Sequence, residues 1–138
     1  MQIKRTANAH WTGTGKEGKG SLSTQSGVLK DTQYGFNSRF AEGIGTNPEE
    51  LIGAAHSGCF SMKLAFNLEA AGFPAESIDT KATVLFEDGS ITEVVLDTTV
   101  KAAGLEQDKF TELVSDAKQN CPISKLLNTK ITLVSKLV

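Results

Sequence analysis

Residues 50–66 read ELIGAAHSGCFSMKLAF, an apolar run with alanines and glycines crowded around Cys59. Just upstream, Asn47 offers an N-cap, Pro48 suits the first helical position, and Glu50 completes a capping box with Asn47. Gly72 supplies the stop. Between these signals nearly every face is apolar or small, and polar residues gather at the two ends. A helix that is apolar most of the way round is a buried one. The stretch therefore predicts a central buried helix whose small residues permit close approach by a neighbouring element.

The chain on either side is richer in strand signals. The first forty residues carry much Gly, Ser and Thr around short apolar elements, RTANAHWTG (5–13), KGSLSTQ (19–25) and YGFNSRF (34–40), which read as strands joined by turns. SIDTKATVLFE (77–87) and SITEVVLDTTVK (90–101) are β-branched runs separated by Asp88-Gly89, a hairpin signal. Phe110, Leu113, Val114 and Ala117 form the i, i+3, i+4, i+7 stripe of an amphipathic helix. Pro122 restarts a short helix in CPISKLL (121–127) with Cys121 as N-cap, and TKITLVSKLV (129–138) closes as a strand. The order β-β-β-α-β-β-α-β is α+β, with mostly antiparallel sheets around the central helix.

Composition bounds the function. A chain of 138 residues is one domain, residues 1–138, large enough for a core without cross-links. Its 14 basic and 16 acidic residues are scattered, so the basic footprint of a nucleic-acid partner is missing. No apolar run approaches a membrane span, and MQIKRTANAH has no signal-peptide core, which makes a cytoplasmic location the default reading. GTGKEG (13–18) matches a dinucleotide-binding pattern but leads into KGSLSTQSG, which lacks a helical period. As a P-loop, the segment has Gly20 where a Ser or Thr must bind magnesium. A solvated hairpin tip explains it better.

Two cysteines remain, and in a reducing compartment they raise the question of chemistry. Cys59 reads as either a small core hydrophobe or a nucleophile. Cys121, at a helix N-terminus, sits where backbone N–H groups and the helix dipole favour a thiolate. His56 and His10 with the two thiols lack the close-spaced pairs of a zinc site, and His56 reads as a packed or hydrogen-bonded helix residue. Arg39 near a strand end reads as a solvated charge, and Glu49 as a favourable acid in a helix first turn.

Three segments, GKGSLSTQSGVLKDTQYGFNSRF (18–40), GTNPEELIGAAHSGCFSMKLAF (45–66) and AKQNCPISKLL (117–127), together resemble the OsmC/Ohr family. These are the osmotically inducible protein C and organic hydroperoxide resistance proteins, and the AHSGCFSM core is similar to the OsmC branch. The resemblance covers essentially the whole chain. It implies an OsmC-like fold, an intertwined homodimer with active sites at the interface, and a cysteine-based peroxidase of oxidative and osmotic stress. Its substrates would be organic hydroperoxides, with hydrogen peroxide reduced more weakly.

By the same resemblance Cys59 would be the peroxidatic thiol and Cys121 the resolving thiol, joined as a disulfide during turnover. Arg39 would stabilise thiolate and peroxide, and Glu49 would orient Arg39 through a bidentate pair. An external dithiol, such as a dihydrolipoyl group, would restore the thiols, with no cofactor and no metal. Glu49 lies ten residues before Cys59, about 15 Å along a continuous helix, so either the helix breaks near IGAA (52–55) or Glu49 serves the partner's cysteine; the second is favoured because it gives a dimer interface a catalytic purpose. A thiol redox sensor and a non-catalytic ligand-binding module of the same fold are the alternatives.

Overall fold

The computed structural model describes residues Met1–Val138. Its contacts divide the chain into two compact units, Met1–Leu51 and Ile52–Val138.

In the first unit, β1 (Ala7–Thr12), β2 (Lys19–Thr24) and β3 (Thr32–Tyr34) form an antiparallel sheet in that order. GTGKEG is the tip of the β1–β2 hairpin, closed by the Gly18 N–H on the Thr14 carbonyl at 2.8 Å. Gly20 is required on β2, because a Cβ there would lie 2.5 Å from both the Trp11 and Tyr34 rings. Those rings pack at 5.5 Å across the position.

The expected third strand is shorter than YGFNSRF. Phe36–Phe40 instead forms a five-residue helix, α1. Its Phe36 and Phe40 rings pack at 4.9 Å, tilted by 50°, at the i, i+4 spacing of one helical turn. The buried Ser38 hydroxyl donates to the Thr46 carbonyl at 2.8 Å and accepts from the Gly35 N–H at 2.9 Å.

The long helix α2 runs unbroken over Pro48–Ala70. Asn47 caps it, its Oδ1 accepting the Glu50 N–H at 2.8 Å. The expected capping box is only half made, since the Glu50 carboxylate accepts the Thr46 hydroxyl at 2.8 Å instead. At the far end Gly72 adopts φ +90°. The Phe73 and Gly72 N–H groups close on the Leu68 and Glu69 carbonyls at 2.8 and 3.0 Å, a Schellman stop.

The second unit is built on the sheet β4 (Ser77–Glu87), β5 (Ser90–Lys101) and β6 (Lys130–Leu137). Asp88 and Gly89, both at positive φ, turn β4 antiparallel onto β5. The β5–β6 pair is parallel and needs a crossover, which α3 (Gln107–Asn120) and α4 (Pro122–Leu126) supply. The core joins Phe60, Leu64 and Leu68 of α2 to Val94, Leu96 and Val100 of β5 and Phe110, Val114 and Ala117 of α3. Thr98 points inward among them; its hydroxyl bonds Thr80 at 2.9 Å, and Thr80 in turn accepts from Ser61 at 2.8 Å.

One face of α2 departs from the all-round burial its composition suggests. Gly53, His56, Phe60, Leu64 and Leu68 are buried. Ala55, Gly58, Met62 and Phe66, on another stripe, are exposed in the single chain, Met62 by 64% and Phe66 by 61%.

Candidate functional site

The two cysteines come together in the second unit. Pro122 cannot continue α3, and it forces the residue before it out of helical backbone. Cys121 accordingly takes φ −58° and ψ 126°, ending α3 through its N–H on the Ala117 carbonyl at 3.0 Å and opening α4. This kink turns the Cys121 side chain into the core, where it is fully buried. Cys59, on the middle turns of α2, is half-buried, and Cys121 lies near enough to perturb its thiol. Both are free thiols.

Burial pushes the Cys59 thiol above its ordinary pKa, and the neighbouring Cys121 adds to the rise. The Ile123 backbone N–H, from the first turn of α4, pulls the other way without reversing it. Here the structure departs from expectation. The sequence places Cys121 where the first amides of the Cys-Pro helix would activate it, yet Cys121 makes no side-chain cap bond, and it is Cys59 whose thiolate the Ile123 N–H favours.

Arg39 and Glu49 pair within the first unit. α1 carries Arg39 on its last turn and the first turn of α2 carries Glu49. Because Asn47 Nδ2 also donates to the Ser38 carbonyl at 3.0 Å, the cap of α2 is tied to α1, which brings the two side chains together. The pairing is not the expected two-oxygen fork. Nε and Nη2 of Arg39 both reach Glu49 Oε1 at 2.8 Å, leaving Oε2 buried without a protein partner. The guanidinium also lies 5.1 Å from the centroid of the Phe40 ring. α2 runs from Pro48 to Ala70 with no break near IGAA (52–55).

His56 is fully buried, with Nε2 and the Ser124 hydroxyl at 2.7 Å. Burial lowers its pKa, so the ring is neutral. Ser124 is the residue sequence reasoning passed over. A signal existed: His56 precedes Cys59 by three positions and Ser124 follows Cys121 by three, so each polar residue lies one turn from a cysteine.

The fold and the thiol pair define a class first: an α+β chain whose central helix and Cys-Pro helix hold a reduced, spatially paired dithiol. More particularly, residues 41–136 match the family of OsmC-like proteins, and the chain belongs to that family. It is 47% identical to Peroxiredoxin OsmC of Escherichia coli K12, an alignment covering 96% of each chain. The organic hydroperoxide resistance protein of Xanthomonas axonopodis pv. citri is 30% identical over 89% of this chain and 87% of its own. Among solved structures, the organic hydroperoxide resistance protein OhrB of Bacillus subtilis superposes with a TM-score of 0.64 at 26% identity, covering 96% of this chain and 98% of that one. No helix is long and apolar enough to cross a membrane.

Proposed function

We propose that this chain is a thiol-dependent peroxidase that reduces organic hydroperoxides, and hydrogen peroxide more weakly, in the cytoplasm. The observation that carries the reading is the asymmetry of the thiol pair. Cys59 is partly open and Cys121 fully buried, and Cys59 packs against the core cluster that holds Cys121, near enough for Cys121 to perturb its thiol. A thiol that meets substrate must be reachable, and one that acts second is best shielded until then. The names of the peroxiredoxin and hydroperoxide-resistance relatives point the same way.

The Cys59 thiolate attacks one peroxide oxygen, the O–O bond breaks, and the departing alkoxide takes a proton to leave as alcohol. Cys59 is then a sulfenic acid. The Cys121 sulfur attacks it, an S–S bond forms as the S–O bond breaks, and water departs. Two electrons have passed from the thiols to the peroxide, and an external dithiol such as a dihydrolipoyl group returns them by exchange. The balance closes without a metal, flavin or haem.

The active assembly is a homodimer in which each 138-residue chain acts as one domain. The exposed stripe of Ala55, Gly58, Met62 and Phe66 supports a second copy as its cover, as does β1, exposed at five of its six positions. Arg39, held by Glu49, acts on the partner subunit's Cys59. A guanidinium within about 4–6 Å favours thiolate and opposes the upward shift that burial imposes. Apolar surroundings favour carbon-bearing peroxides, at roughly 25 cal/mol per Å² buried.

The test is peroxide consumption with excess dithiol, comparing cumene and tert-butyl hydroperoxide with hydrogen peroxide. Turnover favouring the organic substrates, absent in Cys59→Ser and arrested at a sulfenic acid in Cys121→Ser, is expected. One oxidation without dithiol-driven turnover would indicate a redox sensor. Two slow thiols and no consumption would mean that the cysteines only pack.

A further inference from the structure

His56 and Ser124 have no part in the electron transfer above, yet they form a buried polar link between the elements that carry the two cysteines. His56 lies on α2 and Ser124 on α4, joined at 2.7 Å. α4 has only five residues, too few to hold its own place by internal hydrogen bonding. It is held by the apolar packing of Ile123 and of its two flanking residues, Cys121 and Leu127, on the core and by this bond. Apolar packing is non-directional, whereas a hydrogen bond fixes rotation and register.

The link also has a cost. His56 Nδ1 is buried with no partner. The less costly tautomer has Nε2–H donating to Ser124 and leaves a lone pair stranded on Nδ1, not an N–H. An apolar side chain would fill the space without stranding any polar group. What histidine adds is direction. The bond spans the two helices one turn from each cysteine, the position at which a small rotation of α4 would carry Cys121 away from Cys59.

We propose that the His56–Ser124 hydrogen bond is a positioning clamp that holds the Cys-Pro helix in the register where the two sulfurs meet. It governs disulfide closure and not attack on peroxide. In closure the Cys121 sulfur bonds Cys59 as hydroxide leaves the sulfenic acid and takes up the Cys121 proton. The peroxide arm of this proposal rests on the peroxidase reading; the geometry of the dithiol does not.

The experiment therefore has two arms. In one, the full-length reduced protein is closed by diamide, which accepts the two electrons and two protons, and the disulfide is then equilibrated with dithiothreitol. In the other, it is oxidised by cumene hydroperoxide with sulfenic acid trapped over time. Ser124→Ala and His56→Phe remove the bond, whereas Ser124→Thr and His56→Gln keep a hydroxyl or an amide N–H in place. Loss of the bond should slow closure roughly fivefold to tenfold and shift the dithiothreitol equilibrium toward dithiol by a similar factor. Sulfenic acid should form at the wild-type rate but persist, and the conservative variants should restore closure.

Wild-type closure and an unchanged equilibrium in Ser124→Ala would overturn the clamp, as would failure of both conservative variants to restore them. Should His56→Phe not fold, Ser124→Ala, which removes one oxygen, decides alone. Wild type that closes with diamide but ignores hydroperoxide overturns the peroxidase reading, and the clamp is then judged on the diamide arm.

Discussion

An impaired variant and an inactive one should complement each other if Arg39 serves the partner's cysteine. Arg39→Met keeps the apolar stem and removes the guanidinium that bonds Glu49 through Nε and Nη2. Arg39 is 37% exposed but Glu49 only 13%, so removing the guanidinium leaves a largely buried carboxylate without its partner and costs folding about 1–3 kcal/mol. The chemical cost is larger. The surroundings of Cys59 within the chain already push its thiol up, and losing a nearby cation moves a pKa by about 1–3 units. The thiolate fraction at neutral pH, and turnover with it, should fall by roughly 10- to 1000-fold. Cys59→Ser should be inactive outright.

When the two variants are denatured together in equal amounts and refolded, about half the dimers are mixed in a symmetric C2 assembly. Each mixed dimer holds one subunit with Cys59 but no Arg39, and one with Arg39 but no Cys59. Across the interface these complete one site of two, so about one quarter of refolded wild-type activity should return. Cumene hydroperoxide consumption with excess dithiol measures it, with each variant refolded alone as control. If Arg39 acts within its own chain, no mixed dimer has a complete site. Activity that stays at the level of the separate variants would refute the reasoning.

Phe66→Glu puts a charge on the exposed stripe of α2; losing roughly 1.5–3 kcal/mol of burial per subunit should weaken dimerisation about 10²- to 10⁴-fold, read by sedimentation. Burial lowers the His56 pKa below 6.5, so between the two values the unfolded chain binds the extra proton; stability should fall as pH drops below about 6.5, and His56→Gln should flatten that slope in denaturant titrations. Gly20→Ala places a Cβ 2.5 Å from the Trp11 and Tyr34 rings and should lower stability by about 1–3 kcal/mol, partly relieved by Trp11→Leu. Asn47→Ala removes the acceptor of the Glu50 N–H and should cost about 1 kcal/mol in thermal or denaturant unfolding.

What could be read in the sequence was what short-range chemistry decides. Asn47-Pro48 and Gly72 bound α2 because caps act within a turn, and Asp88-Gly89 makes its hairpin because both residues tolerate positive φ. The stripe of α3 is legible for the same reason, its apolar period being local. FNSRF was not legible. Five residues with phenylalanine at each end fit a strand or a helical turn equally, and the choice falls to Ser38, whose bond to Thr46 depends on how the chain returns eight residues later. The contact of Cys59 with Cys121 spans 62 positions and depends on how α4 packs, which no local pattern encodes. The sequence reads His56 as a packed or hydrogen-bonded helix residue but does not name its partner, which lies 68 positions away.

The exposed stripe of α2 and the raised pKa of Cys59 bear on each other. A composition that is apolar almost all round predicts burial, and the single chain leaves Met62 and Phe66 in solvent. Covering them with a second copy satisfies the composition. A thiol whose surroundings in its own chain push its pKa up holds little thiolate at neutral pH and is a slow nucleophile. An arginine brought by that second copy would reverse the shift. If one association event does both, peroxide reactivity appears only on assembly, when Cys121 already stands against Cys59 to close the disulfide. The unassembled chain would then keep its thiol protonated, protected from the irreversible higher oxidation states of sulfur. On this argument Phe66→Glu should slow Cys59 alkylation at neutral pH along with turnover, because the monomer loses the cation as well as its apolar cover.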